Sequence, residues 1–150
     1  MDNKKRGSKT TNVMNQRARE KEFLQIVEFI QNAKEKAFLA VNTKLIDLYW
    51  NIGKYISEKV KSAEWGQSVV TDLANYIVQK HPDLKGYSDK NLWRMKQFYE
   101  AYAKDKKLSP LVRQLSWTHN MIILVRTKSL EEREFYLRLS LAERYSKREL

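Results

Sequence analysis

An all-α fold is predicted by three features of this 150-residue chain. Apolar residues recur at steps of three and four, capping residues stand at the starts of several such runs, and no segment shows strict alternation or an Asn-Gly or Asp-Gly hairpin turn. The expected architecture is a helical domain with a long N-terminal helix or helical hairpin and a helix-turn-helix-like unit. One domain suits the length, and a hydrophobic share of 42% supplies a core. The expected boundaries are a disordered basic arm over residues 1–16 and a single helical domain over residues 17–150.

The arm is expected because residues 1–16 are polar and basic, with too little apolar surface to offset the entropy of ordering them. From Arg19 to Ala63 there is no proline and one glycine. Phe23, Val27, Ile30, Ala37, Val41, Leu45, Leu48, Ile52 and Tyr55 follow helical steps there, with a break expected near Asn42-Thr43. So long a stripe is covered either by a second copy, as in a coiled coil or helical dimer, or by a hairpin folded on itself.

Trp65 to Tyr102 reads as two helices joined by a Pro/Gly turn. The first is apolar at Val69, Val70, Leu73, Ala74 and Ile77, and it stops at His81-Pro82 because proline disfavours helical geometry in the residue before it. Gly86 eases the reversal, and Ser88 is placed to cap the second helix. The buried face of that helix is Leu92, Met95, Phe98 or Tyr99, and Tyr102, which leaves Asp89, Lys90, Asn91, Arg94 and Gln97 outward. After a break from Lys104 to Ser109, Pro110 suits the first turn of a short helix through Gln114. Ser116 caps a helix through Trp117, Met121, Leu124 and Val125. Ser129 with Glu132 forms a capping box for a helix from Leu130 to about Arg144, with Phe135, Leu139 and Ala142 on one face. Ser146 with Glu149 repeats that start signal, which suggests a further helix and a chain that is a fragment.

The formal net charge is +11. Lys4, Lys5, Arg6, Lys9, Arg17 and Arg19 face only Asp2 in the first nineteen residues, so +5 lies there and +6 in the rest. Between Lys80 and Arg113 nine cations face four acids, Asp83, Asp89, Glu100 and Asp105. A basic patch on a helical module points to a polyanion, and duplex DNA is the expected partner. The bland alternative is a solvated surface. With no cysteine there is neither a disulfide nor a thiolate metal site, which fits the cytoplasm. The longest strongly apolar run, Met121 to Val125, is too short for a membrane span, and the basic N-terminus lacks the apolar core of a signal peptide. No Ser-His-Asp arrangement, phosphate-cradling glycine loop or His-Glu metal spacing occurs, so neither catalysis, cofactor nor metal is expected.

Candidate DNA contacts fall into two sets. Lys85, Ser88, Lys90, Asn91, Arg94 and Gln97 surround the start of the helix after Gly86; asparagine pairs with adenine and arginine with guanine where geometry permits. The second set treats the turn at Ser116 as the reading turn, with Arg113, Thr118, His119, Asn120, Arg126 and Lys128 as contacts. Against these stand plainer readings: ordinary surface residues for Lys90, Asn91 and Arg94, a core anchor for Trp117, and a satisfied polar group for His119. Trp93 sits off the buried stripe, free to stack on a base or fill a partner interface.

Leu48-Tyr49-Trp50-Asn51-Ile52-Gly53, Trp65-Gly66, Gly86-Tyr87-Ser88, Asn91-Leu92, Met95, Phe98-Tyr99 and Gln114-Leu115-Ser116-Trp117-Thr118-His119 together resemble the N-terminal region of YhcG-type proteins. The resemblance runs from about Asn42 to the C-terminus. It implies a helical DNA-binding module whose relatives continue into a PD-(D/E)XK nuclease domain, absent here, so that the partner nuclease would act in cis or in trans and this chain alone is no enzyme. Pro82-Asp83 and Asp105-Lys106-Lys107 spell the nuclease signature in order, yet they flank a helix where that chemistry needs adjacent strands, and the match is read as chance. The alternative function is a protein interaction or oligomerisation module without direct nucleic-acid binding, with a homo-dimer or homo-oligomer expected in either case.

Overall fold

A computed structural model describes residues 2–149, with side chains for residues 10–144. Those residues form six helices and no strand: α1 (Asp2–Lys61), α2 (Gln67–Lys80), α3 (Asp89–Tyr102), α4 (Ser109–Val112), α5 (Trp117–Arg126) and α6 (Leu130–Glu149). The chain divides into two compact units, residues 1–40 and residues 41–150.

The first unit is the N-terminal part of α1. The stretch expected as a disordered arm is helical from Asp2 onward. Every described side chain from Thr10 to Lys34 is exposed, apolar and polar alike. The break expected near Asn42-Thr43 is also absent, because α1 is helical through both residues, and the hairpin alternative goes with it.

The core belongs to the second unit. From α1 it takes Ile46, Tyr49 and Ile56. The stripe expected from spacing lies one residue away and, apart from the half-buried Ile52, faces outward, with Val41 67%, Leu48 42% and Tyr55 55% exposed. Two apolar lines run side by side on this part of α1, and Gly53 decides between them. A Cβ at Gly53 would lie 2.0 Å from the Met95 carbonyl oxygen, so α1 closes backbone to backbone on α3 there. One turn on, the buried Ser57 hydroxyl donates to Glu100 of α3 at 2.8 Å.

Between α1 and α2 the chain reverses through Ala63, whose φ of 61° is left-handed. The Glu64 and Trp65 amides donate to the Lys59 carbonyl at 3.1 and 3.2 Å, closing the helix end. Trp65 packs edge-on against Tyr55, ring centroids 5.6 Å apart. α2 then buries Val70 and Ala74 and packs on α3. It ends at His81 as expected, and Gly86 takes a positive φ of 93° before Ser88, whose hydroxyl accepts the Asn91 amide at 3.1 Å. α3 buries Leu92, Met95, Phe98 and Tyr102, the expected face. Trp93 does not stand free; it is half-buried against the core with the Lys96 ammonium 5.4 Å from its ring.

The C-terminal helices start where their caps predict. Ser116 accepts the His119 amide at 3.2 Å and Ser129 the Glu132 amide at 3.2 Å. The face of α6 differs from expectation. Leu137 and Leu141 are buried, whereas Phe135, Leu139 and Ala142 are exposed, because apolar residues occupy several sides of this helix and packing selects the line that meets α4 and α5. No new helix starts at Ser146, since α6 continues through it to Glu149. No helix among the described residues is long and apolar enough to cross a membrane.

Candidate nucleic-acid interface

The site grows from an aromatic cluster. Trp117, at the start of α5, packs 4.7 Å from the Tyr49 ring of α1 and 5.2 Å from the Phe98 ring of α3. Its indole N–H donates to the Asn91 side-chain oxygen at 3.0 Å. The Asn91 amide group donates in turn to the Gly86 carbonyl. The first turn of α3, the Gly86 turn and the first turn of α5 are thereby held together. Burial pushes the phenol of Tyr49 above its ordinary value, with the Tyr87 ring alongside adding to the effect.

A groove of 560 Å³ opens between α3 and α5. Trp117, Met121 and Val125 give it an apolar lining, Ser88 and Thr118 add hydroxyls, and Lys90, Arg94 and Arg126 bring cations from both helices. No acidic side chain lines it. None of the three cations forms an ion pair among the described residues, whose four such pairs lie elsewhere. Free cations over an apolar floor, without a carboxylate to neutralise them, suit an anionic ligand that also presents flat apolar surface.

The two expected contact sets therefore meet in one groove, though not with every member. Ser88, Lys90, Asn91, Arg94 and Thr118 line it, together with Arg126. Asn91 is spent on Trp117 and Gly86, so its amide is not free to read a base. Arg113 is drawn inward: it pairs with Asp47 at 2.5 Å, donates to the Ser109 carbonyl and lies 4.8 Å over the Trp50 ring. Asn120 is fully buried and cannot touch a ligand; it donates to the carbonyls of Val112, Leu115 and Ser116 at 2.8, 3.3 and 3.1 Å and shapes the turn into α5. His119 is exposed, its Nδ1 2.7 Å from the Ser116 hydroxyl. Lys85 is exposed beside the groove without lining it. Gln97 borders a second concavity, of 550 Å³, that contains Glu100.

Sequence reasoning missed Asn42 and Thr43. Asn42 donates to the Arg113 and Leu115 carbonyls at 3.2 and 2.9 Å, and Thr43 to the Arg113 carbonyl at 3.4 Å, tying the connection before α5 to α1. The available signal was a polar pair inside an apolar helical run. The nuclease-like spelling dissolves: Asp105 accepts the Lys107 and Leu108 amides at 2.8 and 3.0 Å and caps a turn. Among the described residues no group of three or more His, Cys, Asp or Glu could hold a metal ion.

A family described as the DUF1016 N-terminal domain matches residues 25–150. The chain belongs to that family. The DUF1016 match spans all the words that resemble YhcG-type proteins, from Leu48 to His119. In the fold most of those words are packing: Tyr49, Trp50, Tyr87, Phe98 and Trp117 form the aromatic cluster, and Gly53 is the α1–α3 crossing. No curated protein and no solved structure gives a significant match to this DUF1016 chain.

Proposed function

We propose that this chain binds duplex DNA through the α3–α5 groove, with Lys90, Arg94 and Arg126 on phosphates and Thr118 and Ser88 as hydrogen-bonding neighbours. The observation that carries this reading is the convergence of three unpaired cations from two helices on a groove without an acid. The net charge of +11 supports it by drawing a polyanion to the molecule. With Asn91 and Asn120 occupied inside the protein, the contacts left are cationic, so binding is dominated by phosphate and weak in base discrimination. The resemblance to YhcG-type proteins adds a role: a module that brings a nuclease domain, in cis or in trans, to DNA.

The test is duplex binding measured over a salt series. Each phosphate contact contributes about 0.9 to the log–log slope, so Lys90→Ala, Arg94→Ala and Arg126→Ala are each expected to make it shallower by about 1 and to weaken all sequences alike. Affinity independent of salt, or three variants that bind like the parent, overturns the reading.

A further inference from the structure

The residue 1–40 unit carries apolar surface that nothing in its own unit covers. From Val13 to Phe38, nine large apolar side chains are 43–81% exposed. Along this helix Phe23, Val27, Ile30 and Ala37 fall on one line at the spacing of a coiled-coil seam. Leu24, Ile26 and Phe38 broaden it. Two members of the same line are charged, Glu20 and Lys34.

We infer that a second copy of this chain covers the line, running antiparallel, with Val27 opposite the partner's Ile30 and Glu20 opposite the partner's Ala37. The charged pair decides the direction. In a parallel pair in register, Glu20 faces Glu20 and Lys34 faces Lys34, two like-charge layers inside an apolar seam. Reversal removes both layers and brings each Glu20 within one turn of the partner's Lys34, while the Lys34 stem covers the partner's Phe23. The basic ends agree: Lys4, Lys5, Arg6, Lys9, Arg17 and Arg19 oppose only Asp2, and a parallel pair sets two such ends side by side.

The absence of native cysteine makes the direction directly readable. Glu20→Cys and Ala37→Cys chains, mixed and oxidised, are expected to give a 20–37 crosslinked dimer; a 20–20 dimer as the main product overturns the antiparallel pairing. Sedimentation of the parent is expected to give a dimer, and a monomer at high micromolar concentration overturns the interface itself. Val27→Glu with Ile30→Glu is expected to yield a monomer whose thermal unfolding, followed by tryptophan emission, keeps the parent midpoint, because all four tryptophans lie beyond residue 40. A double variant that remains dimeric also overturns it.

Discussion

At the scale of single residues the groove rests on side chains whose polar groups are spent internally. Asn120 shows it on one side only: its amide nitrogen serves three backbone carbonyls from a fully buried position, while its side-chain oxygen has no partner among the described residues. Asn120→Ala is expected to cost about 1–3 kcal/mol in urea unfolding, because it deletes buried hydrogen bonds and leaves a void, while each carbonyl keeps a second donor, from the Leu115 amide, the Asn42 side chain or the Asn120 amide. Tyr102 shares the feature of an unpartnered buried oxygen. Its hydroxyl is buried without a partner among the described residues, and burial pushes the phenol up to about 12 against a smaller opposing pull from Arg133. A phenol raised in the folded state stabilises fully below pH 10, the ordinary value, and that contribution is lost as pH rises towards 12. Tyr102→Phe is therefore expected to keep or raise the neutral-pH midpoint and to move alkaline unfolding upward. The caps at Ser88, Ser116 and Ser129 and the α3 face were legible here, because a serine before a helical run and a one-sided apolar pattern are local signals. Asn120 was not: a polar residue on α5 gives no local sign that the carbonyls it serves, from Val112 to Ser116, fold back over it.

Individual elements divide the same way. α2 and α3 each carry one apolar line, and their buried faces followed from spacing. α1 and α6 carry more than one, and spacing alone selected the wrong line in each. What breaks the tie on α1 is a glycine, whose missing side chain lets two backbones touch. Gly53→Ala is expected to destabilise the residue 41–150 unit by roughly 3 kcal/mol or more or to prevent its folding, since the obstacle is the Met95 carbonyl and not a side chain that can swing away; far-ultraviolet circular dichroism with thermal melting measures it. The turn into α2 offers the reverse change. Ala63→Gly removes a left-handed alanine and is expected to stabilise by about 0.5–1 kcal/mol, read from the melting midpoint.

For the whole molecule, charge and composition announced a basic helical protein before any contact was known, and the class is as expected. The site was legible only in part: Lys90, Arg94 and Thr118 meet Arg126 in one groove, which neither helix pair alone could have foretold. Arg113 and Asn91 had the right chemistry for DNA and are consumed by Asp47 and Trp117, partners far away in sequence. The four tryptophans are spread so that Trp50 lies under Arg113, Trp65 against Tyr55, Trp93 beside Lys96, and Trp117 alone lines the groove. In the proposed binding mode Trp117 is a built-in optical reporter. A polyanion seated between Lys90, Arg94 and Arg126 alters the electric field at one indole and leaves three as an internal reference. Titration with duplex DNA is expected to change the emission of the parent chain, and Trp117→Phe to silence that response while retaining the signal of the other three, so that occupancy can be followed in real time without attaching a dye.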